Sequence, residues 1–269
     1  MIESKSCIID FFITSCCTLR CKLCAVGIPY FQHPHHVSVA DAARQLDAFF
    51  EVWDEADRLN FIGGEPMLHP QLYEIALEVL RHKDRIHSLR ITTNGTVLPD
   101  ERAIKLLSGC DIPFTVVISN YGSLSRKFIE LQELLARYDI SVRIDNYSSE
   151  DGGLYYGGWV DFGDYTYMNY DEKEVWRVWK ECSCLKQHFY HLDEGKVFQC
   201  PYPYQFYNRK GIIPEPGEYL DLFDESMSLE EKKQIAKGFF QKPMSACKYC
   251  HSLNEKNSKR YPPAEQLKK

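Results

Sequence analysis

Short apolar runs alternate with amphipathic stretches through the first half of the chain, and that alternation narrows the folds open to it. "SCIIDFFI" (6–13), "RLNFIGG" (58–64), "HSLRITTNG" (87–95), "PFTVVISN" (113–120) and "ISVRIDN" (140–146) read as strands. Helical patterns separate them at 37–53, 69–83, 99–109 and 125–138. In the first of these, Ala43, Leu46, Phe49, Phe50 and Trp53 recur three and four residues apart, which is one helix face. The third opens with proline and closes with glycine, as a helix should. Strands alternating with helices at this spacing predict parallel βαβ units. Five units with a possible sixth predict an α/β fold, a partial (β/α)6-type TIM barrel, whose chemistry sits at the C-terminal strand ends.

The pattern changes after about residue 146. Residues 148–170 are rich in glycine and tyrosine, and the aromatic run 155–170 is a possible pocket lining or a structural hairpin. A helix at 171–181, a hairpin over 188–200 and a closing "CKYC" (247–250) follow. A boundary is expected near residue 170, dividing a barrel over 1–170 from a small α+β domain over 171–269.

Hydrophobic residues make up 44% and charged residues 26% of the 269, the ordinary mixture for a chain with a sizeable core. The formal charge of −6, with no basic block, gives nucleic-acid binding no electrostatic support. The short "KNSKR" (256–260) reads as a solvated tail. There is no signal-peptide order at the N-terminus, and "CIIDFFI" (7–13) is too short to span a bilayer. A cytoplasmic protein without membrane partners is expected, and in that reducing compartment eleven cysteines point to metal or catalytic use rather than disulfides.

Four of the eleven crowd into "CCTLRCKLC" (16–24). Cys17, Cys21 and Cys24 have the spacing C-x3-C-x2-C, with no fourth thiol close by in sequence. Structural zinc usually takes four protein ligands, often from separated C-x2-C pairs. Three thiolates on one loop instead suit three irons of a cubane cluster and leave a fourth iron open. Cys16 would give a different spacing and reads as a buried small hydrophobe.

With a strand before it and "GGEP" (63–66) at the end of the next strand, this loop resembles that of the radical S-adenosylmethionine (SAM) enzymes. The resemblance implies a [4Fe–4S] cluster on Cys17, Cys21 and Cys24, with SAM chelating the open iron. Leu23 stands where the family often has an aromatic residue. The resemblance also implies SAM contacts at Gly63, Gly64, Glu65 and Pro66, where glycines let the backbone approach the ligand and an acidic side chain suits an ammonium. "TTNG" (92–95) and "SN" (119–120) close the next strands, so Thr93, Asn94, Ser119 and Asn120 are further candidates, with Arg143 and Asp145 behind them. Each of these also reads as an ordinary turn or strand cap.

Cys182, Cys184, Cys200, Cys247 and Cys250 form a second group. Gly195 lies five residues before Cys200, and a glycine at a hairpin bend supplies the positive φ that brings two arms together. The group resembles the auxiliary-cluster extension known as SPASM, more closely its shortened twitch form, because no cysteine follows Cys250. The likeness is to family members of the 2-deoxy-scyllo-inosamine dehydrogenase type. It implies a second [4Fe–4S] cluster held by Cys200, Cys247, Cys250 and either Cys182 or Cys184; a four-cysteine zinc site has the same local spacing.

In such enzymes an electron from a flavodoxin- or ferredoxin-type donor cleaves SAM to a 5′-deoxyadenosyl radical, which takes a hydrogen atom from the substrate. A fully ligated auxiliary cluster implies net oxidation of a small polar substrate, in the manner of a sugar or aminocyclitol. Arg177, His188 and His191 are possible bases, with no assignment among them, and the "HPHH" run (33–36) reads as an exposed loop rather than a metal site. Peptide modification is a second enzymatic reading, though with the cluster loop starting at residue 16 no peptide-recognition module is expected ahead of it. Epimerisation is another, with Cys7 or Cys110 as hydrogen donor, although packing suits both better. A zinc-binding interaction protein is the non-enzymatic alternative.

Overall fold

The structure is a computed structural model that describes residues 7–148, 158–161, 163–164, 166–201, 214–252 and 259–268. Parallel strands β1 (Ile8–Thr14), β2 (Arg58–Gly63), β3 (Leu89–Thr93), β4 (Phe114–Asn120) and β5 (Ser141–Asn146) are joined by helices α1 (Val39–Val52), α2 (Leu72–Leu80), α3 (Glu101–Ser108) and α4 (Phe128–Arg137). Each expected strand and helix of this half forms, most of them trimmed by one to three residues at their ends. Ser38 caps α1 by accepting from Asp41 N at 3.0 Å, and Asp100 caps α3 by accepting from Arg102 N at 2.9 Å.

Side chains alternate across a strand, so each strand shows one set to the helices and the other to the concave face. Ile9, Phe11 and Ile13 of β1, Leu59 and Phe61 of β2, Ile91 of β3 and Val116 and Ile118 of β4 share one apolar core with Leu46 and Phe49 of α1. The opposite set includes Asp10, Asn60, Arg90 and Thr115, which are partners in register across β1 to β4. The outer face therefore holds the fold together, and the concave face is free to be polar.

A sixth parallel strand does form, though not beyond β5. After β6 (Trp159–Val160), α5 (Glu172–Glu181) and α6 (Ser183–Gln187), strand β7 (Phe189–Asp193) pairs with β1 in parallel. It is followed by antiparallel β8 (Lys196–Phe198) and β9 (Tyr219–Asp221), giving one open sheet in the order β5-β4-β3-β2-β1-β7-β8-β9. Burial explains the choice. Tyr190 to Asp193 of β7 are all buried and need neighbours on both sides, whereas most of β5 is exposed and serves as an edge. The sheet thus runs across the position near residue 170. Helix α7 (Leu229–Gly238) and Phe239 cover the added strands, while β6 pairs with β10 (Arg260–Tyr261) in a separate two-stranded ribbon.

No described helix is long and apolar enough to cross a membrane. Much of the aromatic run, including Tyr155, Tyr156, Phe162 and Tyr165, lies outside the described residues, as do residues 256–258 of "KNSKR".

Phe11 is fully buried between the sheet and its helices. Phe11→Ala is expected to lower unfolding free energy by about 3–5 kcal/mol, read from the denaturant midpoint, because the site cannot collapse around the lost ring.

Candidate cofactor and substrate site

The loop after β1 places Cys17, Cys21 and Cys24 on the wall of a cavity of about 530 Å³. Gly63, Gly64, Thr93, Asn94 and Ser119 line the same cavity from the C-terminal ends of β2, β3 and β4. These eight expected residues from four separate segments are therefore brought together.

The two glycines also allow a close approach within the protein itself. Gly64 N donates to Thr14 O at 2.7 Å and Glu65 N to Cys16 O at 2.9 Å, tying the end of β2 to the cysteine loop. A Cβ on Gly63 would stand 2.1 Å from Thr14 O, and one on Gly64 would stand 2.1 Å from Cys16 O and 3.0 Å from Cys17 Cβ. Only glycine permits this approach; at Gly63 a φ of +149° adds a backbone reason.

Glu65 does not face the cavity. Its carboxylate is fully buried and accepts from Met67 N at 3.1 Å and Asn94 N at 2.7 Å, so it braces the ends of β2 and β3 against each other. Burial raises its pKa to about 7, and these bonds work in the opposite direction. The expected match of this carboxylate to a ligand ammonium is corrected accordingly. Pro66 is buried at the start of the following 3-10 turn. Asn120 also lies off the cavity wall, with its amide donating to Asn146 and accepting from Gly122 N.

Burial pushes the Cys17 thiol up to about 12 and the Cys21 thiol up to about 11, with the neighbouring cysteines adding to the shift. Both sulfurs have N–H donors directed at them. Cys17 Sγ accepts from Leu19 N at 3.4 Å and Asn94 Nδ2 at 3.5 Å, and Cys21 Sγ accepts from Gln266 Nε2 at 3.4 Å. Such donors favour thiolate once a cation is present to replace the protons.

Gln266 belongs to a C-terminal segment that docks onto the cysteine loop. Lys22 N donates to Glu265 O at 2.7 Å, Leu267 N to Arg20 O at 2.8 Å, and Arg20 N to Gln266 Oε1 at 2.7 Å. Ala264 is fully buried against Leu19, Cys21 and Tyr121. Arg260, read from sequence as part of a solvated tail, lines the cavity, as do Trp159, Tyr121 and Tyr147. No local motif marks these residues, because the contact joins chain segments more than two hundred positions apart.

Two other expectations, for Cys16 and for the "HPHH" run, are corrected. Cys16 is half-buried rather than buried, and its sulfur is off the cavity wall. His35 and His36 of the "HPHH" run are half-buried and dock on the end of β1, next to Ser15 Oγ at 3.2 Å and Thr14 Oγ1 at 2.9 Å. Neither Cys7 nor Cys110 lines the cavity: Cys7 is buried in the outer core, and Cys110 Sγ bonds Leu107 O at 3.0 Å. Arg177 is exposed and paired with Glu181, and His191 is fully buried beneath Phe12.

The second group of cysteines also converges. Cys182 ends α5, Cys184 lies in α6, Cys200 follows β8, and Cys247 and Cys250 sit in and after a 3-10 turn over Ser245–Tyr249. All five line one small, largely apolar cavity with Trp179 and Met244. Gly195 makes the hairpin bend with φ of +73°, preceded by Glu194 at +48°, as expected for a tight turn. Glu218 accepts from Ser245 N and from Ser245 Oγ, fixing the turn that carries Cys247. Burial pushes Cys247 up to about 12, and Cys250 and Cys184 are also raised well above the ordinary thiol value, the latter first by hydrogen bonding to Cys182 and Cys200. Among the described residues no three His, Cys, Asp or Glu side chains meet at a single-ion site.

Gly64→Ala is expected to lower stability by about 1–3 kcal/mol, because the added methyl cannot be seated without moving the cysteine loop. Thermal melting checks this, with Gly109→Ala as a control where the nearest atom to the new Cβ is 3.6 Å away.

The Radical SAM superfamily pattern matches residues 11–141 of the chain. An AdoMet-dependent heme synthase of Oleidesulfovibrio alaskensis is 29% identical over 101 residues, 37% of this chain and 24% of that protein. GTP 3′,8-cyclase 1 of Mycobacterium tuberculosis is 32% identical over 89 residues, 31% of this chain and 24% of that protein. The matched segment thus spans about a quarter of the length of these relatives. Among solved structures, BtrN in complex with AdoMet and 2-DOIA superposes with TM-score 0.52 at 16% identity, covering 97% of this chain and 98% of that one. Native anSMEcpe with bound AdoMet gives 0.51 at 16% identity, covering 96% and 93%. With the cysteine loop, the glycine-tethered end of β2 and strands β2 to β4 of the partial barrel all inside it, the segment over residues 11–141 is a radical SAM superfamily domain.

Proposed function

We propose that the chain is a radical SAM oxidoreductase that takes hydrogen from a small polar substrate, with a second iron–sulfur group accepting an electron. The observation that carries this reading is the convergence of Cys17, Cys21 and Cys24 with the strand-end residues Gly63, Gly64, Thr93, Asn94 and Ser119 around one cavity. The donor set fits a [4Fe–4S] cluster: thiols alone, N–H groups aimed at two of the sulfurs, and open space beside them. When bound there, cluster and SAM supply one-electron reductive cleavage and hydrogen-atom abstraction.

Each part of the chain then has a task. The β1 loop presents the thiols, and the backbone of Gly63 and Gly64 offers a wall that a ligand can approach closely. Thr93, Asn94 and Ser119 supply hydroxyl and amide groups for a nucleoside. Trp159, Tyr121 and Tyr147 give the cavity an aromatic side and exclude water.

The five-thiol cavity in residues 171–269 suits an auxiliary [4Fe–4S] cluster held by Cys200, Cys247, Cys250 and Cys182 or Cys184. The two cavities are adjacent along the chain: Cys200 lines one and Pro201 the other. Four protein thiolates leave no position for substrate, which suits this group to electron transfer. A flavodoxin- or ferredoxin-type protein is the expected donor.

Anaerobically reconstituted protein with dithionite is expected to convert SAM to 5′-deoxyadenosine, and Cys21→Ala to abolish the conversion. Undiminished cleavage by the variant, or none by the wild type, would contradict the reading. Gln266→Leu removes an N–H donor from a cluster sulfur, so the midpoint potential of the first cluster is expected to become more negative in an EPR-monitored titration.

A further inference from the structure

The concave face of the barrel carries a row of polar side chains beneath the SAM site that no part of the proposed function has used. His191, Asp10, Asn60, Arg90 and Thr115 are successive partners in register on β7, β1, β2, β3 and β4. Asp10, Asn60 and Arg90 line the floor of the 530 Å³ cavity. Arg90 lies three residues before Thr93 on β3, about 10 Å deeper at the usual strand rise, and Asp10 and Asn60 stand beside it in register.

Charge on this floor does not cancel. Arg90 lies in the field of Arg58, Arg143, Asp10 and Asp145, so three guanidinium groups face two carboxylates. His191 adds no charge, because burial lowers its pKa to about 3. The other members are engaged with one another. Arg58 Nε donates to Asn60 Oδ1 at 2.9 Å, Asn60 Nδ2 donates to Asp10 Oδ1 at 2.6 Å, and Arg143 Nη2 bonds Asp145 Oδ2 at 2.8 Å. Arg90 is the exception: its Nε is buried with no hydrogen-bond partner among the described residues. Arg90 nonetheless lines the cavity, so an anion entering there would meet a guanidinium through its remaining N–H groups.

We propose that Arg90 holds the carboxylate of the substrate, making this chain an enzyme for a small carboxylic acid, with Asp10 beside it to accept from a hydroxyl or ammonium of the same molecule. The assignment rests on the radical SAM reading for its catalytic meaning, though not for the binding itself. A planar guanidinium meets a carboxylate through two parallel N–H bonds, so Arg90 fixes orientation as well as charge. With the carboxylate on the floor, the rest of the molecule extends up the barrel toward the strand ends.

The test uses reconstituted full-length wild type, Arg90→Gln, Arg90→Lys and the surface control Arg81→Gln. The probes are the free amino acids, lactate, malate, gluconate and citrate, each against its amide or ester, with binding read by ligand-detected NMR. At least one acid is expected to bind about tenfold or more tightly than its neutral counterpart, an increment of ~1.4 kcal/mol. Arg90→Gln is expected to remove that preference, Arg90→Lys to restore part of it, and Arg81→Gln to leave it intact. Affinity for SAM, measured separately, is expected to stay the same in Arg90→Gln. Equal binding of acids and neutral counterparts, no binding by any acid, or an acid preference that survives Arg90→Gln would overturn the assignment. So would a matching loss of SAM affinity, since Arg90 would then serve the cofactor's own carboxylate. If Arg90→Gln does not fold, Arg90→Lys decides by the same comparison. Carboxylate binding through Arg90 in protein that neither holds iron nor cleaves SAM would sink the radical reading and leave this pocket standing.

Discussion

The site depends on one close approach, between the end of β2 and the loop after β1. Two backbone hydrogen bonds, Gly64 N to Thr14 O and Glu65 N to Cys16 O, hold the cysteine loop against the sheet. They form only because neither Gly63 nor Gly64 carries a Cβ. The buried Glu65 carboxylate extends the brace to β3 through Asn94 N, and the Asn94 amide in turn meets Cys17 Sγ. From β1 to β3, each strand end is positioned by the one beside it, and the thiols inherit that order.

The same alternation that builds the core also makes the cavity. Outward side chains of β1 to β4 are largely apolar and pack on α1 to α4, while the inward set includes Asp10, Asn60, Arg90 and Thr115 beside Phe12, Ile62 and Val117. An open sheet with one apolar face and one mixed face can bind a charged small molecule without weakening what keeps it folded. Strands β7 and β8, which lie between Cys184 and Cys200 in the chain, join the same sheet at β1, and Cys200 and Pro201 follow them at the border of the two cavities.

Much of this was legible in the sequence. The period of two and then three to four fixed the order of strands and helices, because buried faces must follow backbone geometry. The cysteine loop, the glycine pair and the hairpin glycine Gly195 were visible as spacing, and each does a geometric task that spacing controls. What sequence reading missed was set by contacts between distant segments. The docking of Gln266 on Cys21 and the pairing of β7 with β1 have no local signature. Glu65 was misjudged for a related reason: an acidic residue beside a ligand wall can point into the protein, and only the position of Asn94 decides which. The polar row was present in "IIDFFI", "RLNFIGG" and "LRITT" as a single charged or amide residue inside each apolar strand. Its meaning emerged only when the registers placed the three side by side.

The measurement that bears most directly on the account is metal and sulfide content of anaerobically purified, reconstituted protein, with Mössbauer spectra to type the iron. The account predicts about eight irons and eight sulfides per chain, arranged as two four-iron thiolate clusters. Zinc at both cysteine groups, with no sulfide, would contradict it.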